Sequence, residues 1–295
     1  MGLVCFDPAF SDDERREAVF GGAVLVHPPR PAALALCEFA RGLLEEAFHP
    51  FDPEQAQWHL PVREYARIAA DLKPAFIHHP ESQRLVRELL RDHGCDPERV
   101  YFDLPRLRSA TSDGYLTTGI AYAFHPHRDT WYSAPLCQVN WWLPIYPITR
   151  DNGMAFHPRY WSRAVKNSSR LYDYDEWNRT ARFRAAEQIG VDRRVQPRAE
   201  EDLDLADDLR IIGEPGSVTI FSAAQMHSSV PNSSGRTRYS IDFRTVHRRD
   251  VSAGTGAPNL DSECTGTSLG DFLRCSDLAH LPDGTIRRYR AGFGR

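Results

Sequence analysis

From Val100 onward the chain breaks into short apolar segments at close intervals, and this rhythm restricts its fold more than any other feature. Val100–Leu104, Gly119–Phe124, Leu136–Ile145, Gly153–Phe156, Gly216–Phe221 and Tyr239–Val246 carry β-branched or aromatic residues and are fenced by Pro, Gly and Asn. Several short strands so spaced predict a sandwich, jelly roll or barrel. The first third reads differently. A charged helical stretch precedes a short strand at Gly21–Val26, and apolar residues recur at helical spacing over Pro31–Phe48, Arg63–Leu72 and Glu81–His93, with Gly94 as a stop. The expected organisation is one domain over 1–295: helix-rich support (1–99), a β core (100–249) interrupted by a polar insertion (158–212), and a tail packed on the core (250–295). No internal repeat or linker stands out. The acidic run Glu200–Asp208 in the insertion reads as a solvated face.

Composition removes several function classes. With 295 residues, 41% of them apolar and 11% aromatic, the chain can bury a substantial core. The formal net charge is −4 and no long basic run is present, so no nucleic-acid partner is expected. Apolar stretches such as Pro31–Ala40 fall short of the roughly 20 residues of a membrane span, and no basic n-region precedes an apolar one, so a soluble, cytoplasmic protein is expected. Six dispersed cysteines without a C-x-x-C pair read as reduced, mostly buried thiols. Lysine is confined to Lys73 and Lys166. There is no Walker A loop, no G-x-G-x-x-G and no H-E-x-x-H. Gly266-Thr-Ser268-Leu-Gly270 matches the nucleophile-elbow pattern, but polar residues precede it where that motif needs a strand.

Two histidine-bearing strand ends carry the chemistry. In Phe124-His125-Pro126-His127-Arg128-Asp129, residues two apart on an extended chain face the same side, so His127 and Asp129 can meet one ion. The strand Gly216–Phe221 leads to His227, and a third ligand there would complete two imidazoles and a carboxylate on one face of an octahedral metal. Eleven residues on, across a Pro-Asn and Ser-Ser-Gly turn, antiparallel pairing returns Arg238 beside His227, with Ser240 facing the same side.

With His127-Arg-Asp129, Asp151–Pro158, Gly216–Phe221, His227, Pro231-Asn232-Ser233 and Arg238 in this order, the chain resembles the Fe(II)/2-oxoglutarate-dependent dioxygenases, most closely their phytanoyl-CoA dioxygenase-like branch. The resemblance runs from about Gly119 to Val246. It implies a mainly β protein with flanking helices around a double-stranded β-helix (jelly roll, cupin-like) core. It further implies Fe(II) on His127, Asp129 and His227, and 2-oxoglutarate held by Arg238 and Ser240, with Arg236 the competing clamp. Trp142 and Asn140 would border the cosubstrate, since period-two alternation puts Gln138, Asn140 and Trp142 inward and Val139, Trp141 and Leu143 outward. The implied reaction uses O2 and 2-oxoglutarate, releases succinate and CO2, and hydroxylates a small metabolite or natural-product intermediate. Because Asp129 is an oxygen ligand, no position is left for a halide. His157-Pro158-Arg159-Tyr160 departs from the family's Pro-Gly-Ser-His at the corner near the mouth. Substrate contacts are expected from Gln138, His125, Trp131, Tyr132, Arg106 (or Arg108), Phe156 and Trp161, a set suited to an anionic group or an aromatic face. His78, His79, His157, His247 and His280 read as surface or packing residues. The alternative is a metal-dependent jelly-roll isomerase, or a non-catalytic metal- or ligand-binding protein, built on the same residues.

Overall fold

The N-terminal third stacks helices on what becomes the outer face of a sheet. The computed structural model describes residues 3–292. Strand β1 (Val4–Phe6) leads into helix α1 (Asp12–Phe20), which starts at a capping box: the Ser11 hydroxyl accepts from the Glu14 amide, and the Glu14 carboxylate accepts from the Ser11 amide. Then come β2 (Val24–His27) and α2 (Pro31–Phe48), the latter opened by Pro31 at its first turn. Helices α3 (Val62–Ile77) and α4 (Pro80–Asp92) complete the layer, and His79 caps α4 through its ring.

The remaining strands are β3 (Val100–Phe102), β4 (Arg106–Ala110), β5 (Val139–Pro144), β6 (Met154–Phe156), β7 (Leu209–Ile211), β8 (Val218–Ser222), β9 (His227–Ser229), β10 (Arg238–His247) and β11 (Leu273–Arg274). Between them lie α5 (Tyr174–Thr180) and α6 (Arg248–Ala253), and α7 (Asp283–Gly292) follows. The eight-stranded sheet runs β1-β2-β8-β5-β10-β3-β11, with β4 beside the first half of β10, and a three-stranded sheet runs β7-β6-β9. The two sheets close on each other. Val24, Val26, Trp142 and Phe221 of the large sheet pack with Met154, Phe156 and Ile211 of the small one, and Phe156 meets Phe221 edge to face at 4.9 Å. This is a double-stranded β-helix with helices on one side.

Alternation along the central strands decides what faces the interior. On β5, Val139, Trp141 and Leu143 join the core under α2–α4, while Asn140 and Trp142 turn toward the small sheet, as period two requires. On β10, Tyr239, Ile241 and Phe243 face the helices, so Arg238, Ser240, Asp242 and Arg244 line the interior.

Two expectations need correction. Gly119–Phe124 is not a strand: Gly119–Ala121 forms a 3-10 turn, and Gly119 sits at φ +58° with the carbonyls of Ala185 and Gln188 where a side chain would be. The insertion presses on this loop, where Thr118 donates its hydroxyl to the Gln188 carbonyl at 2.8 Å, while Ile120 and Ala121 pack on the helix-side core. Strands β9 and β10 do not pair across the turn between them as expected: β9 lies in the small sheet and β10 in the large one, so Arg238 enters the interior from the sheet facing His227. Among the described residues no helix is long and apolar enough to cross a membrane.

Candidate metal and cosubstrate site

His127 and His227 are brought together by the backbone. Each amide donates to the other's carbonyl, at 2.9 and 3.0 Å, an isolated antiparallel bridge that sets the rings 4.4 Å apart. Asp129 follows at the start of a 3-10 turn (Asp129–Tyr132), with its Oδ1 3.4 Å from His127 Nε2 and 3.8 Å from His227 Nε2. One potential ligand atom from each residue lies within 4.8 Å of the others, and among the described residues these three form the group able to hold a metal ion.

Both imidazoles are locked in one tautomer. His127 Nδ1 lies 2.8 Å from the His125 carbonyl and His227 Nδ1 2.9 Å from the Gln225 carbonyl. A carbonyl can only accept, so each Nδ1 carries the hydrogen and each Nε2 presents a lone pair toward Asp129. The same device recurs two residues before each histidine. Burial, with His127 close by, pushes His227 down to about 4, so its imidazole is neutral and ready to coordinate at pH 7. Burial raises the Asp129 carboxyl, but the neighbouring histidines and a hydrogen bond from Asn140 outweigh it and bring it to about 2. The carboxylate is held from behind: Asn140 Nδ2 donates to Oδ2 at 2.7 Å, and Gln138 Nε2 donates to the Asn140 carbonyl oxygen at 2.8 Å.

Arg238 opens β10 deep in the interior. It is 8% exposed, with Nη1 donating to Ser240 Oγ at 3.0 Å and the guanidinium 5.6 Å from the centre of the Trp142 ring. Its Nε has no hydrogen-bond partner, and no carboxylate lies within ion-pair distance among the described residues. Burial pushes its pKa down to about 10. A buried guanidinium lacking an anion is the kind of group that a ligand carboxylate completes. Arg236, the competing clamp, is 57% exposed and paired with Glu54 at 3.2 Å.

The other expected residues divide. Gln138 and Asn140 join the site behind Asp129. Tyr132 meets the His127 ring edge-on at 5.4 Å and donates to the Pro197 carbonyl of the insertion. Phe156 lies 6.4 Å from His227, within the core between the sheets. His125 is exposed and acts through its main-chain carbonyl. Trp131 is fully buried and donates to Asp261. Trp161 is carried off by the 3-10 turn at Pro158–Tyr160 and lies against Gly22, in a groove with Leu3, Phe10 and Pro158. His157 is one of the packing histidines, buried and sharing a hydrogen bond with Ser228 at 3.0 Å.

One group on the same interior face is larger than expected. Arg106 and Arg108 on β4, with Asp242 and Arg244 on β10 and Asp103, form a chain of ion pairs. Arg108 also lies over the Phe124 ring at 5.5 Å, and Phe124 stacks on His127 at 5.1 Å.

No family model matches the chain, and no curated protein matches it. Among solved structures it is similar to the apo form of the non-heme monooxygenase ThoJ, at 15% identity and a TM-score of 0.36 over 73% of this chain and 68% of that one. It is similar to EvdO2 from Micromonospora carbonacea var. aurantiaca complexed with 2-oxoglutarate, at 10% identity and a TM-score of 0.46 over 81% and 92%. A third is SnoN, a non-heme alpha-ketoglutarate-dependent epimerase from nogalamycin biosynthesis, at 14% identity and a TM-score of 0.35 over 87% and 97%.

Proposed function

We propose that the chain is an Fe(II)- and 2-oxoglutarate-dependent oxygenase that hydroxylates a small molecule. The observation that carries this reading is the pairing of two features in one interior. His127, Asp129 and His227 offer two imidazole nitrogens and one carboxylate, and a buried guanidinium without an anion lies on β10 of the facing sheet. The donor set fits iron, because two histidines and one carboxylate on one side leave the opposite positions open. The cosubstrate fits as well, because its far carboxylate would give Arg238 the partner it lacks, with Ser240 as a further donor.

When bound, iron and 2-oxoglutarate supply oxidative decarboxylation with O2, yielding succinate and CO2, and the oxidation of a substrate C–H bond. The protein's part is positional. The carbonyls of His125 and Gln225 aim the two Nε2 lone pairs. Asn140, braced by Gln138, fixes Asp129 and occupies its second oxygen, which favours ligation through Oδ1. Trp142, Phe156 and Phe221 close the interior between the sheets and exclude water from the Arg238 end. The Asp129 carboxylate occupies the ligand position that a halide would need, so the reading is hydroxylase rather than halogenase.

Calorimetric titration of the metal-free protein with Co(II), a redox-inert substitute for iron, tests the ligand set. One ion should bind per chain, and Asp129→Ala should abolish binding. Undiminished binding by that variant would remove Asp129 from the site.

A further inference from the structure

We infer that the substrate carries a carboxylate, received by Arg108 beside the proposed metal site. The inference rests on the proposed iron and 2-oxoglutarate site and concerns what binds beside it.

The first observation is a charge count. Arg238 and the two charges of iron would be balanced by Asp129 and the two carboxylates of 2-oxoglutarate. The neighbouring stripe is not balanced within itself: three guanidinium groups (Arg106, Arg108, Arg244) face two carboxylates (Asp103, Asp242). Neighbouring groups do not correct this. Lys73 of α3 acts on Arg108 and Asp242 with the same positive sign, and Arg182 is matched by Asp271 at 2.8 Å. The stripe therefore carries excess positive charge, and a partly desolvated cation is stabilised when it gains an anion.

The second observation singles out Arg108. Arg106 and Arg108 are the two ends of the ion-pair chain, and Arg108 is the more exposed, at 36% against 22%, while Arg244 in the middle is 18% exposed. Its guanidinium donates to Asp242 through Nε and one terminal nitrogen, at 2.5 and 3.3 Å. The remaining terminal nitrogen has no protein acceptor assigned among the described residues. Stacking fixes its place relative to the proposed metal. Arg108 lies over Phe124, and Phe124 lies over His127, so a carboxylate on Arg108 would sit one aromatic ring away from a metal ligand.

The test uses the full chain, anaerobic, with Fe(II) and saturating 2-oxoglutarate, so that the Arg238 end is already filled. Binding of 2-oxoglutarate is measured first by calorimetry; its failure would count against the oxygenase reading itself. Phenylacetate, 3-phenylpropanoate and pentanoate are then titrated against their primary amides. At least one acid should bind about tenfold or more tightly than its amide. Arg108→Gln should erase that preference and Arg108→Lys should keep part of it, with 2-oxoglutarate affinity held within about threefold in both as evidence of an intact fold. The proposal is overturned if 2-oxoglutarate binds but no acid does, if amides bind as well as acids, or if the preference survives Arg108→Gln.

Discussion

Replacing Arg238 with methionine should leave the stability of the empty protein nearly unchanged and remove most of the stabilisation that 2-oxoglutarate gives the loaded one. In the empty protein the change removes a hydrogen bond to Ser240 and a cation–π contact with Trp142, which together contribute about 1–3 kcal/mol. It also removes a buried cation that has no carboxylate partner and an unsatisfied Nε, a burden of similar size. Methionine fills much of the same volume, so unfolding free energy should change by less than about 1 kcal/mol, in either direction. With 2-oxoglutarate the balance differs. A buried carboxylate–guanidinium pair with one side truncated loses about 3 kcal/mol, or roughly a hundredfold in affinity. At a cosubstrate concentration near 100 times the wild-type Kd, the wild type gains about 2.7 kcal/mol of stability and the variant only about 0.4 kcal/mol. Urea denaturation with Co(II), with and without 2-oxoglutarate, measures all four states. Equal stabilisation of both proteins by 2-oxoglutarate would refute the role given to Arg238, as would a loss above about 2 kcal/mol without it, which would make the residue structural.

Three further outcomes are expected. Asn140→Ala frees the second oxygen of Asp129 and should weaken metal binding about 10- to 100-fold with little loss of fold, read by Co(II) calorimetry. Gly119→Ala sets a methyl against the Ala185 and Gln188 carbonyls at a left-handed φ of +58°, and should cost about 2 kcal/mol or more in urea denaturation. Burial, helped by the charge of His27, pushes His93 down to about 2, so the unfolded chain takes up a proton there that the folded chain refuses. The stability this group contributes is intact above its unfolded pKa of about 6.5 and should fall as pH drops below that, and His93→Phe should flatten the decline between pH 7.5 and 5.

Much of the site was legible because its signals are local or periodic. His127 and Asp129 stand two apart and His227 follows a strand, so their approach could be read from extended geometry, whereas Arg238 reaches the interior from β10 of the facing sheet and not by the expected pairing beside His227. The inward set on β5 followed from the same alternation. What alternation leaves open is the partner. Asn140, expected beside the cosubstrate, hydrogen-bonds Asp129, and His125 contributes its carbonyl instead of its ring. Strand β4 escaped notice because Arg-Leu-Arg-Ser-Ala has one large apolar residue. Its arginines belong to an interior chain of ion pairs, so the inward face lacks the hydrophobic mark by which strands are found. Gly119–Phe124 erred in the other sense, an apolar run that packs as a turn and loop instead of a strand. Trp161 was misplaced because no local signal announces the turn at Pro158–Tyr160 that carries it away.

The measurement that bears most directly on the whole account is an anaerobic titration of the metal-free protein with Fe(II) and then 2-oxoglutarate, followed by visible absorption. The account predicts a weak metal-to-ligand charge-transfer band that grows to one equivalent of each component, and that is absent from Arg238→Met at the same cosubstrate concentration. Iron that binds at one equivalent but develops no band at millimolar 2-oxoglutarate would contradict it, and would favour a metal-dependent isomerase or binding protein built on the same three ligands.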